Sequence, residues 1–344
     1  MNIFVAILGI SFLVIVHETG HYLAARAFGM RVLRYSIGLG PVLFKYQPQG
    51  SPTIFQICAI PFLAYVQIDG MNPTDDVDRN DPTLFPNKSV LARMVTIFAG
   101  PFANYLAASL IVFSVVAIDG AQEPQENAPM VVGEVMPETP AAAAGIQAGD
   151  RIVEANHQPI ANITQLVEVT RDRAGQPTEY VIERGGQRLP AMTITPDRSE
   201  DGRGIIGVSG PSTYVPVSIG DAAKIAVIWP GVVSWASLSA LWERLSQGRT
   251  DGISGPVGMV RAAEHHAERG IRPYIEFIAL ISVALGLFNL LPVPALDGGR
   301  LVFLGFELIT RRRANERVEA MVHTVGLLFL LGVIVLVTFR DVLG

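Results

Sequence analysis

Four stretches of the chain are apolar for long enough to cross a bilayer, which takes roughly 20 residues per helix: residues 2–28, 90–118, 274–309 and 322–339. The third contains Pro292 and Pro294, so its helix is expected to unwind there. A further apolar stretch, 222–245, is interrupted by Pro230 and Gly231 and carries Trp229, Trp235 and Trp242. Tryptophan favours the membrane–water interface, so this stretch reads as an external amphipathic segment lying on the membrane. Residues 53–69 are apolar but rich in β-formers (Ile54, Phe55, Ile57, Ile60, Tyr65, Val66, Ile68) and are split by Pro61. They are too few for a spanning helix and read as a re-entrant β-hairpin, whose backbone must then be covered by protein. Residues 71–87 hold Pro73, Pro82 and Pro86 with Asp75, Asp76, Asp78 and Asp81, and read as a solvated loop.

The pattern changes at about Pro129. Residues 131–135 read as a strand, 148–150 as a tight turn, 151–154 as a second strand and 163–170 as a short helix. Residues 180–183 and 191–194 read as a hairpin around Gly185 and Gly186. The division expected is therefore 1–119 with two spans and the hairpin, 129–213 as a small α+β domain, 214–273 as an amphipathic linker, and 274–344 with two more spans. Arg26, Arg31 and Arg34 follow the first span, and Arg311, Arg312, Arg313 and Arg317 separate the last two. By the positive-inside rule both clusters are cytoplasmic, which puts both chain ends and the inserted domain outside.

Composition agrees with a membrane protein: 50% of residues are hydrophobic and only 17% charged. A net charge of −5 without a long basic tract excludes a nucleic-acid partner. The single cysteine, Cys58, rules out an intrachain disulfide and a multi-cysteine zinc site.

Inside the first apolar stretch lies His17-Glu18-Thr19-Gly20-His21. HExxH on a helix puts two imidazoles one turn apart on one face, as a zinc site requires, with a carboxylate beside them as general base. Ionisable groups at membrane depth are costly and mark function. A catalytic zinc takes three protein ligands, and the spanning segments offer Glu276, Glu307, Asp297 and His323 for the third. Asp297 is favoured because it follows Pro292 and Pro294 and precedes Gly298 and Gly299, where an unwound backbone lets a carboxylate turn inward. The residues thus point to a hydrolase with one zinc per chain, its ligands His17, His21 and Asp297 and its base Glu18. A membrane-tethered adaptor with a vestigial metal site is the non-enzymatic alternative. His157, His265 and His266 read as solvated side chains.

These motifs resemble the site-2 protease family of intramembrane zinc metalloproteases, in the bacterial branch that cuts anti-sigma factors. The likeness runs through HETGH at 17–21, SIGLGP at 36–41, the hairpin at 59–66 and Phe98-Ala99-Gly100-Pro101 with Asn104. It continues in a PDZ-like AGIQAGDRIVEANHQPI at 144–160, SGPVG at 254–258 and NLLPVPALDGGR at 289–300. Leu63 and Ala64 stand where relatives usually carry two glycines before the tyrosine, and one PDZ-like unit is present where some relatives have two. The resemblance implies a polytopic α-helical membrane protein of about four spans, with a re-entrant β-hairpin and an inserted extracytoplasmic PDZ-like domain. It further implies a bacterial inner-membrane address and an active site near the cytoplasmic side. Asp297 would be the third zinc ligand, and Asn289, Pro292 and Pro294 would help to hold substrate. The substrate would be a single-pass membrane protein, and the PDZ-like domain would take a peptide or a C-terminus.

Overall fold

A computed structural model describes residues 3–72, 77–136, 139–199, 202–246, 248 and 255–343. Pro73, Asp75 and Asp76 of the acidic loop and Ser254 of the 254–258 motif lie outside the described residues. The chain divides into two compact units, 1–115 with 219–344 and 116–218.

The first unit opens with helix α1 (Ile3–Ala27). The helix stops at Gly29, whose φ of 65° is one that residues with a side chain rarely adopt, and the Met30 N–H closes back on the Ala25 carbonyl at 2.8 Å. Strands β1 (Val32–Tyr46) and β2 (Ile54–Ile68) follow. Each strand bends and pairs twice. Residues 34–37 bond to 64–67 on one side and to 54–57 on the other, while 42–46 bond to 55–58. The expected hairpin is therefore a four-stranded sheet in the order 42–46, 54–58, 32–37, 64–68, and its first strand comes from a segment outside the expected hairpin. β1 turns at Gly38 and Gly40, with φ of 89° and 87°. A Cβ on Gly38 would collide with the Cys58 and Ile60 carbonyls, so only glycine allows the sheet to fold over itself there.

Helix α2 (Val90–Asp119) runs through Pro101 without stopping. Beyond the inserted unit come α5 (Ile219–Ser246), α6 (Pro256–Glu268), α7 (Ile271–Leu290), α8 (Asp297–Thr310) and α9 (Glu316–Leu343). Among the described residues, five helices are long and apolar enough to cross a membrane: Phe4–Ala27, Val90–Asp119, Ile219–Arg244, Ile271–Leu290 and Glu316–Asp341. The fifth candidate arises because Pro230 and Gly231 do not break α5. The Ser234 hydroxyl donates to the Pro230 carbonyl at 2.7 Å, one turn back along the helix. The 274–309 stretch does break, and α8 is too short to span by itself. His266, expected in solvent, instead stacks on Phe277 at 4.6 Å between ring centroids. Together these elements make a polytopic α-helical membrane protein.

The second unit holds β3 (Ala121–Pro124), α3 (Pro140–Ala143), β4 (Arg151–Ala155), β5 (Gln158–Pro159), α4 (Ile163–Arg171), β6 (Thr178–Arg184), β7 (Gln187–Arg188), β8 (Met192–Ile194), β9 (Asp197–Arg198), β10 (Gly204–Ile205) and β11 (Ser212–Val215). β4 and β6 form the centre of its main sheet, and β3 pairs with β11 where the unit opens and closes. Residues 131–135, expected as a strand, form single bridges at Val131 and Val135. The core gathers Met130, Val132, Ile152, Tyr180 and Ile182, all essentially inaccessible. Helix α4 starts on a reciprocal cap: Asn162 accepts from the Gln165 N–H, and the Gln165 side chain accepts from the Ala161 N–H.

One buried charge ties this unit together. Asp150 accepts from Nε and Nη2 of Arg184 at 2.7 and 2.8 Å and from the Gln147 N–H at 2.8 Å. The Arg184 guanidinium holds the Asp150 carboxyl below the usual carboxylate range. A lowered folded-state value means stability that is present above about pH 4 and is lost as pH falls through the folded value. Asp150→Ala is expected to cost about 2 kcal/mol at neutral pH and progressively less in acid. Amide hydrogen exchange of β4 and β6 in the full chain, followed against pH, measures it.

Candidate active site

Helix α1 carries His17 and His21 one turn apart, exposed by only 6% and 8%. Their Nε2 atoms lie 3.1 Å from each other. Asp297 joins them from the first turn of α8, with Oδ2 at 3.1 Å from His17 Nε2 and 3.3 Å from His21 Nε2. All three donor atoms lie within 4.8 Å of one another.

The route by which Asp297 arrives explains the sequence around it. Helix α7 ends at Leu290, and residues 291–296 turn back with Ala295 at φ 74°, unusual for a residue with a side chain. His323 of α9 stabilises that turn: its Nδ1 accepts from the Ala295 N–H at 3.0 Å. A Cβ on Gly298 would collide with the Leu290 and Leu291 carbonyls, and one on Gly299 with the Val293 carbonyl. Two glycines therefore let α8 start tight against the turn, with Asp297 at its N-terminus, where the helix dipole favours a carboxylate.

The other candidates for the third ligand are engaged elsewhere. Glu307 makes a two-pronged ion pair with Arg93, at 3.0 and 2.7 Å, in the buried contact between α8 and α2. Glu276 accepts from Arg272, and His323 supports the turn. Asn289 donates to the Leu285 carbonyl in its own helix at 2.9 Å. Pro294 packs against Gly326 of α9, and Pro292 is exposed.

Glu18 points to the sheet. Its Oε2 accepts from the Val66 N–H at 2.9 Å, so strand 64–68 lies against the carboxylate. Thr19 and Tyr35 share a hydroxyl contact of 2.8 Å, and both hydroxyls reach the Ile15 carbonyl. On the opposite side, α2 holds the imidazoles. The Thr96 carbonyl lies 2.9 Å from His21 Nδ1. A carbonyl only accepts, so Nδ1 carries a proton, and in the neutral ring the Nε2 lone pair faces Asp297. Asn104, fully buried, lies 3.1 Å from His17 Nδ1. In the sequence Asn104 stands beside the Phe98–Pro101 motif without a legible role. Thr96 acts through its backbone and leaves no mark in the sequence.

Two imidazole nitrogens and a carboxylate oxygen, shielded from water and brought this close, are held together by a shared proton or by a metal cation. Nitrogen and oxygen donors in this number suit a divalent zinc with a position left open for water.

The model of peptidase family M50 matches residues 5–333. The chain belongs to peptidase family M50. A relative from Mesorhizobium japonicum that carries a zinc-metalloprotease name is 34% identical over 360 residues, covering 96% of this chain and 95% of its own. One from Nostoc sp., similarly named, is 32% identical over 344 residues, covering 96% and 93%. The zinc metalloprotease RasP of Geobacillus kaustophilus is 27% identical over 406 residues, covering 96% and 95%. Among solved structures, the PDZ domain of an SdrC-like protein from Listeria innocua matches 24% of this chain and 92% of its own at 20% identity, with a TM-score of 0.22. As a member of family M50, this protein is a membrane zinc metalloprotease.

Proposed function

We propose that this M50 protease hydrolyses a peptide bond within or near the transmembrane segment of a single-pass membrane protein, anti-sigma-factor-like or signal-peptide-like, after a first cut has shed the external part. The observation that carries this reading is the placement of the His17, His21 and Asp297 cluster along α1. His17 lies roughly 21 Å of helix rise from Ile3 and 15 Å from Ala27, which is well inside a bilayer core of roughly 30 Å.

In this reading His17, His21 and Asp297 hold the zinc, and Glu18 is the base. Bound zinc supplies Lewis acidity, lowering the pKa of water towards ~7 and polarising the scissile carbonyl. Glu18 takes the proton from the attacking water and passes it to the leaving amine. Strand 64–68 offers an extended edge to a substrate helix, whose peptide bonds stay hidden until that helix unwinds. Asn289, Pro292 and Pro294 then help to hold the unwound segment, and the inserted unit screens a peptide or C-terminus on the outer side.

The topology that fits is cytoplasmic arginines, an external inserted unit and an active site towards the cytoplasmic side of a bacterial inner membrane. Two contacts support it. Leu304 of α8 packs with Ala25 and Met30, and Arg313 donates to the Pro86 carbonyl, so both arginine clusters lie at one end of the first unit. At the other end, Tyr274 of α7 donates to the Val5 carbonyl, and Asp341 accepts from the Gly255 and Gly258 N–H groups of α6. Helix α6 packs on Ala6 and Leu13 of α1, also at the end away from the arginines.

To test the function, the full chain is reconstituted in vesicles with trimmed anti-sigma-like and signal-peptide-like single-pass proteins, and the cut is located by mass spectrometry. The expected cut falls inside the apolar segment, stops on zinc chelation and returns with added zinc. Cuts confined to residues outside the apolar segment would overturn the proposal.

A further inference from the structure

Asn104 lies at the centre of an inconsistency that its neighbours resolve. The side chain is fully buried, its Nδ2 is 3.1 Å from His17 Nδ1, and its Oδ1 has no hydrogen-bond partner. With the amide in that orientation, the nitrogen donates and His17 Nδ1 must accept. A neutral imidazole carries one N–H, so the proton would then sit on His17 Nε2, the atom aimed at His21 and Asp297. A protonated Nε2 has no lone pair to give.

The partner of the other histidine shows the arrangement the site needs. At His21 the group facing Nδ1 is the Thr96 carbonyl, an obligate acceptor, and Nε2 is left free. Amide oxygen and nitrogen are nearly alike in shape, so turning Asn104 by half a rotation exchanges them without moving any neighbour. The turn gives the buried Oδ1 a donor in the His17 Nδ1–H, and the amide nitrogen takes the place that Oδ1 leaves.

We propose that Asn104 presents its side-chain oxygen to His17 and accepts the Nδ1 proton, acting as a positioning residue that fixes the tautomer and ring orientation of this imidazole. This rests on the reading of His17 as a metal ligand. The two histidines are then oriented by acceptors from one helix, a backbone carbonyl at Thr96 and a side-chain amide two turns later. Groups that accept from the far nitrogen of a ligating histidine raise its basicity and metal affinity. The backbone also locks Asn104 in place, since its carbonyl accepts from the Ser282 hydroxyl of α7 at 2.9 Å.

The test measures zinc affinity of the purified full chain by competition with a chromophoric chelator, and needs no substrate. Asn104→Asp keeps an acceptor facing His17 and is expected to bind zinc within about threefold of wild type. Asn104→Leu removes the acceptor and is expected to lose about 10–100-fold. Equal losses in both variants, with thermal stability of the metal-free protein unchanged, would overturn the proposal, as would wild-type affinity in Asn104→Leu. Nitrogen-15 spectra of the zinc-loaded wild type, with histidine labelled, read the tautomer without any variant at position 104. A protonated His17 Nδ1 is expected, and a protonated Nε2 overturns it. His17→Ala is measured alongside: unchanged zinc affinity there would sink the ligand assignment itself, whereas lost affinity there with none lost in Asn104→Leu would sink only the role of Asn104.

Discussion

Glu18→Gln is expected to lower kcat by about 10³–10⁴-fold while zinc content stays at one per chain and KM changes little. The substitution keeps the size of the side chain and an oxygen able to accept from the Val66 N–H, so strand 64–68 keeps its place. What disappears is the ability to take a proton. None of the three metal-facing atoms belongs to Glu18, so the cluster of His17, His21 and Asp297 is left as it is. Single-turnover cleavage of a reconstituted single-pass substrate, with zinc measured on the same sample, separates the chemical step from metal loss. Turnover within tenfold of wild type would remove Glu18 from the mechanism. Glu18→Ala serves as contrast: it deprives Val66 of its acceptor as well and should also loosen the sheet, visible as faster amide exchange at Val66.

Gly100→Ala is expected to cut zinc affinity by at least about 100-fold and to take activity with it. A Cβ at position 100 would overlap the imidazole of His21, meeting Nε2, Cε1 and Cδ2 together. The ring cannot retreat along its plane, because Nδ1 is tied to the Thr96 carbonyl and Nε2 already faces the cluster. Helix α2 can yield only by moving away from α1, and Gly20 against the Ala99 carbonyl shows how little slack there is between them. Zinc stoichiometry at buffered free metal, with helix content checked by circular dichroism, measures the effect. Wild-type affinity in Gly100→Ala would show that α1 and α2 are not packed as described.

The chemistry was more legible in the sequence than the architecture around it. His17, Glu18 and His21 stand out because ionisable groups are rare inside an apolar helix, and Asp297 because two prolines and two glycines announce a broken one. Strand β1 was hidden because Gly38, Gly40 and Pro41 look like loop residues, although there they are the means by which a strand doubles back. Helix α5 misled in the opposite way. Pro230 reads as a stop, yet the helix runs on through it. Contacts across helices, such as Arg93 with Glu307, Asn104 with His17 and Thr96 with His21, have no local pattern. They depend on which residues of two distant segments come to the same depth, and a single sequence does not record that. His323 shows the limit clearly: by residue type it is a possible ligand, and it instead supports the turn that brings Asp297 to the two histidines.

The separation of 280 residues between His17 and Asp297 also has a meaning in time. At roughly 5–20 residues per second, a ribosome takes on the order of 15–60 s to make the aspartate after the histidines. During that interval α1 carries two imidazoles and a carboxylate with no third donor to gather them. With the proposed ligand set, a nascent or truncated chain that stops before Asp297 is a membrane protein without hydrolytic capacity. Synthesis itself works as a safety catch, released only when the last part of the polypeptide has been inserted.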